Sequence, residues 1–245
     1  MLSVIAHYSE IALKGKNRPW FLQRLVDNLR FALSDLDVSE VRAPLGRIEV
    51  VLRNEAAWPE VRDRLSRVFG LANFSLAHRA PFDSARGKSS DIDAIGEALV
   101  RDLPTEPVES FRIRVRRADK RFTMPSPEVE RVLGRRVQDA RGWKVNLSEP
   151  ELRIGVELLH KDAFYYFGKL PGAGGMPTGT SGRVAALLSG GIDSPVATWR
   201  MLKRGCTATL IHFHSYPFLA RTCRPGRLTR TASLRNRPVR RSLEG

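Results

Sequence analysis

A chain of 245 residues with 42% hydrophobic content has room for one to three domains and enough apolar surface for packed cores. Its 41 lysines and arginines against 26 acids give a formal charge of +15, which suits a polyanion: nucleic acid or an acidic membrane surface. No apolar run is long enough to cross a bilayer, the first residues lack the basic and apolar regions of a signal peptide, and two cysteines, Cys206 and Cys223, make neither a disulfide framework nor a zinc site.

The charge is uneven. Residues 220–245 hold eight arginines and one acid, Glu244, so the tail supplies nearly half of the excess and the body is only moderately basic. The expected compartment is the cytoplasm, with no membrane partner.

In chain order, Val4 and Ile5 begin a short strand, and Lys14 to Arg18 form a basic loop. A helix is expected from about Pro19 to Leu33, with Asn17 as N-cap and Pro19 in the first turn. Phe21, Leu22, Leu25, Leu29, Ala32 and Leu33 fall on one face of it. Arg47 to Leu52 reads as a strand, and Pro59 to Phe69 as an amphipathic helix. This alternation suggests a small α/β or ferredoxin-like unit.

A second unit follows. Ser90 or Asp91 caps a helix carrying Ile92, Ile95, Ala98 and Leu99, and Pro104 and Pro107 mark its exit. Phe111, Ile113 and Val115 alternate with Arg112, Arg114 and Arg116, so the arginines share one strand face, where they can track phosphates. Arg117, Lys120 and Arg121 extend the basic run; Phe122 and Trp143 are candidate base-stacking residues or core. Ser126 with Pro127 opens a helix that Gly142 closes. Leu152 to Leu158 alternates as a strand, and Tyr165 to Phe167 returns as in a hairpin. Residues 170–182, rich in glycine and proline, read as a linker.

The third unit carries the clearest chemistry. Val184 to Leu188 is a continuous apolar run, as in a buried parallel strand. Ser189-Gly190-Gly191-Ile192-Asp193 follows, and Ser194-Pro195 opens a helix that ends at Gly205, before a second strand, Cys206 to Phe213. Glycines admit an oxyanion close to the backbone, and amides at a helix start favour phosphate. Ser189 and Ser194 can add hydroxyl donors. Asp193 opposes phosphate by charge, so it makes sense as a Mg²⁺ holder or as a residue orienting a donor beside phosphates. A plain glycine turn is the alternative. The Walker pattern is absent.

The Ser-Gly-Gly-x-Asp-Ser loop resembles the PP-loop of ATP pyrophosphatases, which split ATP between the α and β phosphates. That resemblance implies ATP and Mg²⁺, with Asp193 as the catalytic loop residue. It places the adenosine against strand ends at Leu187, Leu188, His212 and Phe213, and the phosphates against Ser189, Gly190, Gly191, Asp193 and Ser194. By itself the loop leaves GMP, NAD or asparagine synthetases open.

Further motifs narrow the family. Tyr8 to Arg18, Arg114 to Phe122, Ser126-Pro127-Glu128, Gly168 to Gly182 and His212 to Ser215 occur in the order found in tRNA 4-thiouridine synthetases, and the chain resembles that tRNA sulfurtransferase family from about residue 4 to 219. The resemblance implies an α/β and α+β multidomain fold: a ferredoxin-like domain (1–60), a THUMP RNA-binding domain (61–169), a linker (170–182), and the start of a PP-loop parallel-sheet domain (183–219). It implies tRNA as partner through Lys14, Lys16, Arg112, Arg114, Arg116, Arg117, Lys120 and Arg121. A persulfide-carrying protein of the cysteine desulfurase type would donate sulfur, and a homodimer is open. The reaction implied is adenylation of the C4 oxygen of tRNA uridine 8 by ATP, then displacement of AMP by persulfide sulfur; the same family supplies sulfur for the thiamine thiazole ring. Neither cysteine matches a family cysteine, so no catalytic thiol is assigned. Resemblance stops after Leu219, and residues 220–245 read as an out-of-frame, truncated or disordered tail. A tRNA-binding protein without the chemistry is the rival from another class; a THUMP methyltransferase fits less well, because no Gly-x-Gly-x-Gly loop is visible.

Overall fold

The computed structural model describes residues 2–44, 46–82, 89–118, 122, 124–160, 162–212 and 233–234. Lys120, Arg121, Phe213 and Cys223 lie outside the described residues. The chain divides into two units, one of residues 1–7, 37–58 and 73–171, the other of residues 8–36, 59–72 and 172–245.

The first unit is built on one sheet. Its strands are β1 (Leu2–His7), β2 (Val38–Arg42), β3 (Ile48–Leu52), β4 (Asn73–Pro81), β5 (Ser110–Arg117), β6 (Lys144–Val145), β7 (Leu152–Leu158), β8 (Asp162–Phe167) and β9 (Leu170–Pro171). Their order is β2-β3-β1-β4-β8-β7-β5-β6, with β9 paired to β4. β5 runs parallel to β6 and β7; β1, β4 and β8 pair antiparallel with their neighbours. Residues of period two make β5 a strand: Phe111, Ile113 and Val115 are buried, while Arg114 and Arg116 are exposed.

Two helices of this unit, α3 (Ser89–Arg101) and α4 (Ser126–Arg141), supply the other half of its core. Ile92, Ile95 and Leu99 from α3 and Val129, Leu133 and Val137 from α4 join Phe111, Ile154, Val156 and Tyr165 in one cluster. Each such side chain contributes about 1.5–3 kcal/mol on burial. Phe122 and Trp143 belong to this core rather than to an open stacking surface. Gly142 closes α4 with φ 71° and an N–H donated to the Gln138 carbonyl, as its C-terminal placement predicts.

The second unit holds a 3₁₀ segment (Glu10–Asn17), α1 (Arg18–Ala32), α2 (Trp58–Arg67, mostly in this unit), β10 (Arg183–Leu187), α5 (Asp193–Lys203), β11 (Thr207–Ile211) and β12 (Ser233–Leu234). β10 and β11 are parallel, and β12 lies antiparallel to β11. The βαβ reading of the third unit is therefore correct. In chain order, β1-α1-β2-β3-α2-β4 with strand order β2-β3-β1-β4 is the ferredoxin-like arrangement.

Several expectations need correction. Asn17 is in the αR region and makes no side-chain cap; α1 begins directly on the preceding 3₁₀ turn, so no extended cap residue exists. Ser90 and Asp91 lie inside α3 rather than capping it. Strands β2 and β4 went unread; β2 is half exposed and short, without a clean alternation. β3, within the stretch expected as a strand, is buried on both faces.

β10 is not fully buried. Arg183, Ala185 and Leu187 are exposed, with Leu187 at 61%, because α5 packs on one face of β10–β11 and the other is open among the described residues. On α5 the expected apolar stripe is likewise solvent-facing in part: Val196, Trp199 and Met201 are exposed, and Thr198 is its buried residue.

Nor is 172–182 a free tether. Gly174 exchanges backbone hydrogen bonds with Gly70 (2.8 Å) and Leu71 (2.7 Å), and Met176 N–H donates to the Lys203 carbonyl (2.9 Å). The N–H groups of Gly179, Thr180 and Ser181 converge on the Gly205 carbonyl. Gly175 has φ 74°, and a Cβ there would lie 2.2 Å from the Lys203 carbonyl oxygen, so glycine is required for this close approach.

Candidate functional site

The phosphate-type loop is a turn from β10 into α5. The Leu188 N–H donates to the Ile211 carbonyl at 2.8 Å, extending the parallel pairing by one residue. His212 Nδ1 lies 2.8 Å from the Leu188 carbonyl, which can only accept, so this nitrogen carries the proton and the ring is held at the carboxyl end of the two strands. Leu187, Leu188 and His212 are thus together at the strand ends; Phe213 lies outside the described residues.

The loop is braced by its own serines. Ser189 N–H donates to Ser194 Oγ (3.1 Å), Gly191 N–H to Ser189 Oγ (3.3 Å), and the two hydroxyls are 3.2 Å apart. One hydroxyl hydrogen is used between them, which leaves the other to point outward. Gly190 and Gly191 do not have positive φ, and a Cβ at Gly190 would meet nothing within 4 Å. The fold itself therefore does not demand glycine at 190. No side chain caps α5, so its first amides are open to an anion.

Asp193 is the first residue of α5 and is exposed. A carboxylate there also suits the helix dipole, which is the purely structural account of it. Among the described residues no three metal-ligating side chains come together. A Mg²⁺ at Asp193 would take its remaining oxygens from phosphate and water, as that ion commonly does. Cys206 is buried and its thiol donates to the Ser181 carbonyl at 3.4 Å, so it is packed.

The basic strand lies in the other unit. Arg112, Arg114 and Arg116 share one face of β5, and the β5–β7 register sets Arg153 beside Arg112, Gly155 beside Arg114 and Glu157 beside Arg116. A groove of about 690 Å³ opens here, lined by Arg112, Arg114, Arg116, Arg153, Tyr166 and Lys169. Arg112 also donates to the Leu147 carbonyl (2.6 Å). Arg117 falls on the opposite strand parity, and its guanidinium donates to the Phe122 and Met124 carbonyls (2.8 and 2.9 Å), so the structure separates it from the other three. Lys14 and Lys16 are exposed in the 3₁₀ segment of the second unit, whereas the β5 arginines belong to the first.

Under the groove lies a buried polar cluster. Glu157, 1% exposed, accepts from His7 Nε2 (2.8 Å) and the Tyr166 hydroxyl (3.0 Å) on one oxygen, while Arg47 Nη1 stands 2.6 Å from the other. Burial pushes the Glu157 carboxyl up, but the His7 hydrogen bond, the Arg47 charge and the Tyr166 hydroxyl outweigh it and hold it at about 2. Burial lowers the Lys169 ammonium, Glu157 raises it, and Arg116 and Arg114 lower it further; the net direction is down. Gly155 is what lets the Tyr166 ring cross β7: a Cβ there would sit 2.2 Å from that ring.

Arg153, Lys169, Tyr166 and the cluster of Glu157, His7 and Arg47 were not found from sequence. The alternation of Leu152 to Leu158 does mark Arg153 and Glu157 as the polar face of β7. Only the parallel register, however, brings that face beside the β5 arginines.

Comparison with known proteins finds three family matches in succession along the chain. Residues 3–75 match the ThiI ferredoxin-like domain, 89–166 the THUMP domain and 179–235 the Thiamine biosynthesis protein (ThiI) domain. The last match runs past Leu219, where the motif resemblance ended. A probable tRNA sulfurtransferase of Thermus thermophilus is 41% identical over 220 residues, covering 89% of this chain and 52% of its own. A 4-thiouridine synthetase solved as an RNA complex with bound ATP is 29% identical with TM-score 0.71, covering 89% of this chain and 54% of that one. PH1313 from Pyrococcus horikoshii is 27% identical with TM-score 0.72, covering 86% and 69%. The chain spans about half the length of the curated relatives it matches.

Proposed function

Because the chain belongs, by three domains in order, to the tRNA sulfurtransferase family, we propose that it is the tRNA-binding and ATP-binding portion of an enzyme that makes 4-thiouridine at tRNA position 8. The observation that carries this reading is the pairing, in one chain, of a cationic groove on a THUMP sheet with an open, uncapped Ser-Gly-Gly-x-Asp-Ser loop. The groove cations Arg114, Arg116, Arg153 and Lys169 position tRNA through its phosphates. The loop amides and the free hydroxyl hydrogen of the Ser189–Ser194 pair take the ATP phosphates, and Leu187, Leu188 and His212 border the adenosine.

Asp193 would hold Mg²⁺ beside the loop, where the ion would supply charge neutralisation on the phosphates. The residues fit it in one respect: Asp193 is exposed beside the open loop. The uridine C4 oxygen attacks the α-phosphorus and pyrophosphate leaves, with the loop donors stabilising charge on the phosphates. The terminal sulfur of a donor protein's persulfide then attacks C4 and AMP leaves, and a second thiol attacks the donor-side sulfur of the resulting S–S bond, releasing 4-thiouridine and leaving a disulfide that an external reductant reduces. The thiamine thiazole is a second destination for the same sulfur. A homodimer and a cysteine-desulfurase-type donor complete the proposal.

The test is direct binding. Labelled tRNA should bind the 245-residue chain, and Arg114→Ala with Arg116→Ala should weaken it and lower the slope of log K against log salt by about 1–2. Mg²⁺–ATP binding, read by calorimetry, should fall on Gly190→Val and Asp193→Ala while tRNA affinity stays. Unchanged tRNA affinity and salt slope in the arginine pair would remove the groove from the reading. Unchanged nucleotide binding in both loop variants would remove the loop.

A further inference from the structure

The turn after β8 places one lysine inside the cationic groove. Gly168, at φ 80°, reverses the chain there. Its N–H donates to the Arg153 carbonyl (2.8 Å), and its own carbonyl accepts from Ser75 Oγ (2.9 Å). On the other side, Leu170 and Pro171 pair with Phe74 and Asn73 of β4. The backbone at Lys169 is thus pinned before and after, while the residue itself is exposed. Its Nζ lies 5.6 Å from the centre of the Tyr166 ring.

Arg114, Arg116 and Arg153 line the same groove. Among the described residues, no carboxylate forms an ion pair with these three or with Lys169. The acid in the lining, Glu157, is engaged by His7 and Tyr166 on one oxygen and by Arg47 on the other. The three guanidinium groups are therefore left for an outside anion. An ammonium crowded by other cations gives up its proton more readily. Burial, Arg116 and Arg114 lower the Lys169 ammonium against the opposing pull of Glu157. The arginines keep their charge. One groove thus joins a nucleophilic amine to groups that hold phosphate.

We propose that Lys169 is a site of Nε-acylation by acyl phosphates, in which Arg114, Arg116 and Arg153 hold the phosphate while the amine attacks the acyl carbon. The two functions together select the reagent. A carbonyl electrophile without an anion gains nothing from the arginines, and a phosphate without a carbonyl offers the amine nothing to attack. In the step, the bond from Nε to the acyl carbon forms and the bond from that carbon to the phosphate oxygen breaks. The nitrogen's proton goes to the departing phosphate, so the products are an amide and hydrogen phosphate, and no electrons are exchanged. The amide is uncharged, so acylation removes one cation from the groove. That consequence rests on the tRNA-binding reading above; the modification itself does not.

The test treats the full 245-residue chain with acetyl phosphate and, in parallel, with the N-hydroxysuccinimide ester of acetic acid, which carries no phosphate. Peptide mass spectrometry follows each lysine. With acetyl phosphate, Lys169 should react at least about threefold faster than the exposed Lys16 and Lys144. Arg114→Ala with Arg116→Ala should abolish that lead, and inorganic phosphate should compete it away while leaving the ester reaction unchanged. Equal rates at Lys169, Lys16 and Lys144 overturn the inference. So does a lead as large with the ester as with acetyl phosphate, which would leave the arginines no part in it. The consequence is read by anisotropy with labelled tRNA. The acetylated chain should bind more weakly, with the slope of log K against log salt reduced by about 1. Lys169→Arg keeps the charge without the nucleophilic amine, so the same treatment should leave its affinity in place. Selective acetylation of Lys169 with unchanged tRNA affinity would uphold the modification and remove this lysine from the tRNA-binding reading.

Discussion

At the residue scale, Glu157 shows how a buried charge is held by its neighbours. Its folded-state value of about 2 lies below the ordinary 4.5. A depressed carboxyl stabilises the fold fully above about pH 4.5, and the contribution is lost as pH falls toward 2. Acid unfolding followed by Trp fluorescence should therefore lose this stability between those limits, and Glu157→Gln should flatten that part of the curve. Removing the charge takes its carboxylate from the buried Arg47–Glu157 pair, so Glu157→Gln should also cost about 3–5 kcal/mol in urea unfolding at pH 7. Stability within 0.5 kcal/mol of wild type would mean that the cluster is not the keystone described. Gly155→Ala is the steric counterpart. Its Cβ would overlap the Tyr166 ring, so the ring must move; a loss of about 1–3 kcal/mol is expected, with weaker tRNA binding from the reshaped groove.

At the element scale, the turn around Gly175 and Gly205 sets how α5 meets the segment before β10. Gly205 has φ 93°, and a Cβ there would lie 2.4 Å from Thr180 Oγ1. Its carbonyl receives three N–H groups. Gly175→Ala or Gly205→Ala should lower the melting temperature of the unit that holds the loop and weaken Mg²⁺–ATP binding, because the start of β10 and the end of α5 are tied through these bonds. Nucleotide binding equal to wild type in both variants would detach the loop's geometry from this turn. The same bonds predict a proteolysis pattern. Subtilisin should spare residues 172–182 despite their glycine content, since Met176 and Thr178 are buried there. Early cleavage within that stretch would show that the bonds do not persist in solution.

At the scale of the whole molecule, the two candidate sites fall in different units: the cationic groove in one, the phosphate-type loop in the other. tRNA binding and nucleotide binding should therefore be separable by mutation. The groove unit has a closed core around Tyr165 and Phe111, whereas β10 and α5 leave Leu187, Val196 and Trp199 exposed. Expressed by itself, the 245-residue chain should bind tRNA yet yield no 4-thiouridine with ATP and a persulfide donor, because the described thiol, Cys206, is packed against Ser181. Nucleoside analysis by mass spectrometry decides this, and reproducible product would show that a thiol of this chain becomes accessible during turnover.

Local pattern was legible wherever one residue type reports one environment. The alternation of Phe111 to Arg116 was enough for β5, since a pleated strand sends successive side chains to opposite faces. Ser189 to Ser194 was enough for a strand–loop–helix turn, because serines and glycines there serve the backbone within five residues. Gly142 announced the end of α4 by its φ. What the sequence could not carry was register and cover. Arg153 becomes part of the groove, and Arg117 leaves it, only through the pairing of β5 with β7 and the carbonyls near Met124. The glycine-rich stretch 172–182 reads as a tether because its partners, Leu71 and Lys203, are far away in the chain. Glu157 looked like one acid on a polar strand face until folding brought His7 and Arg47 to it from the other end of the sequence. Each of these depends on contacts between residues distant in the chain, which local periodicity does not encode and tertiary packing alone decides.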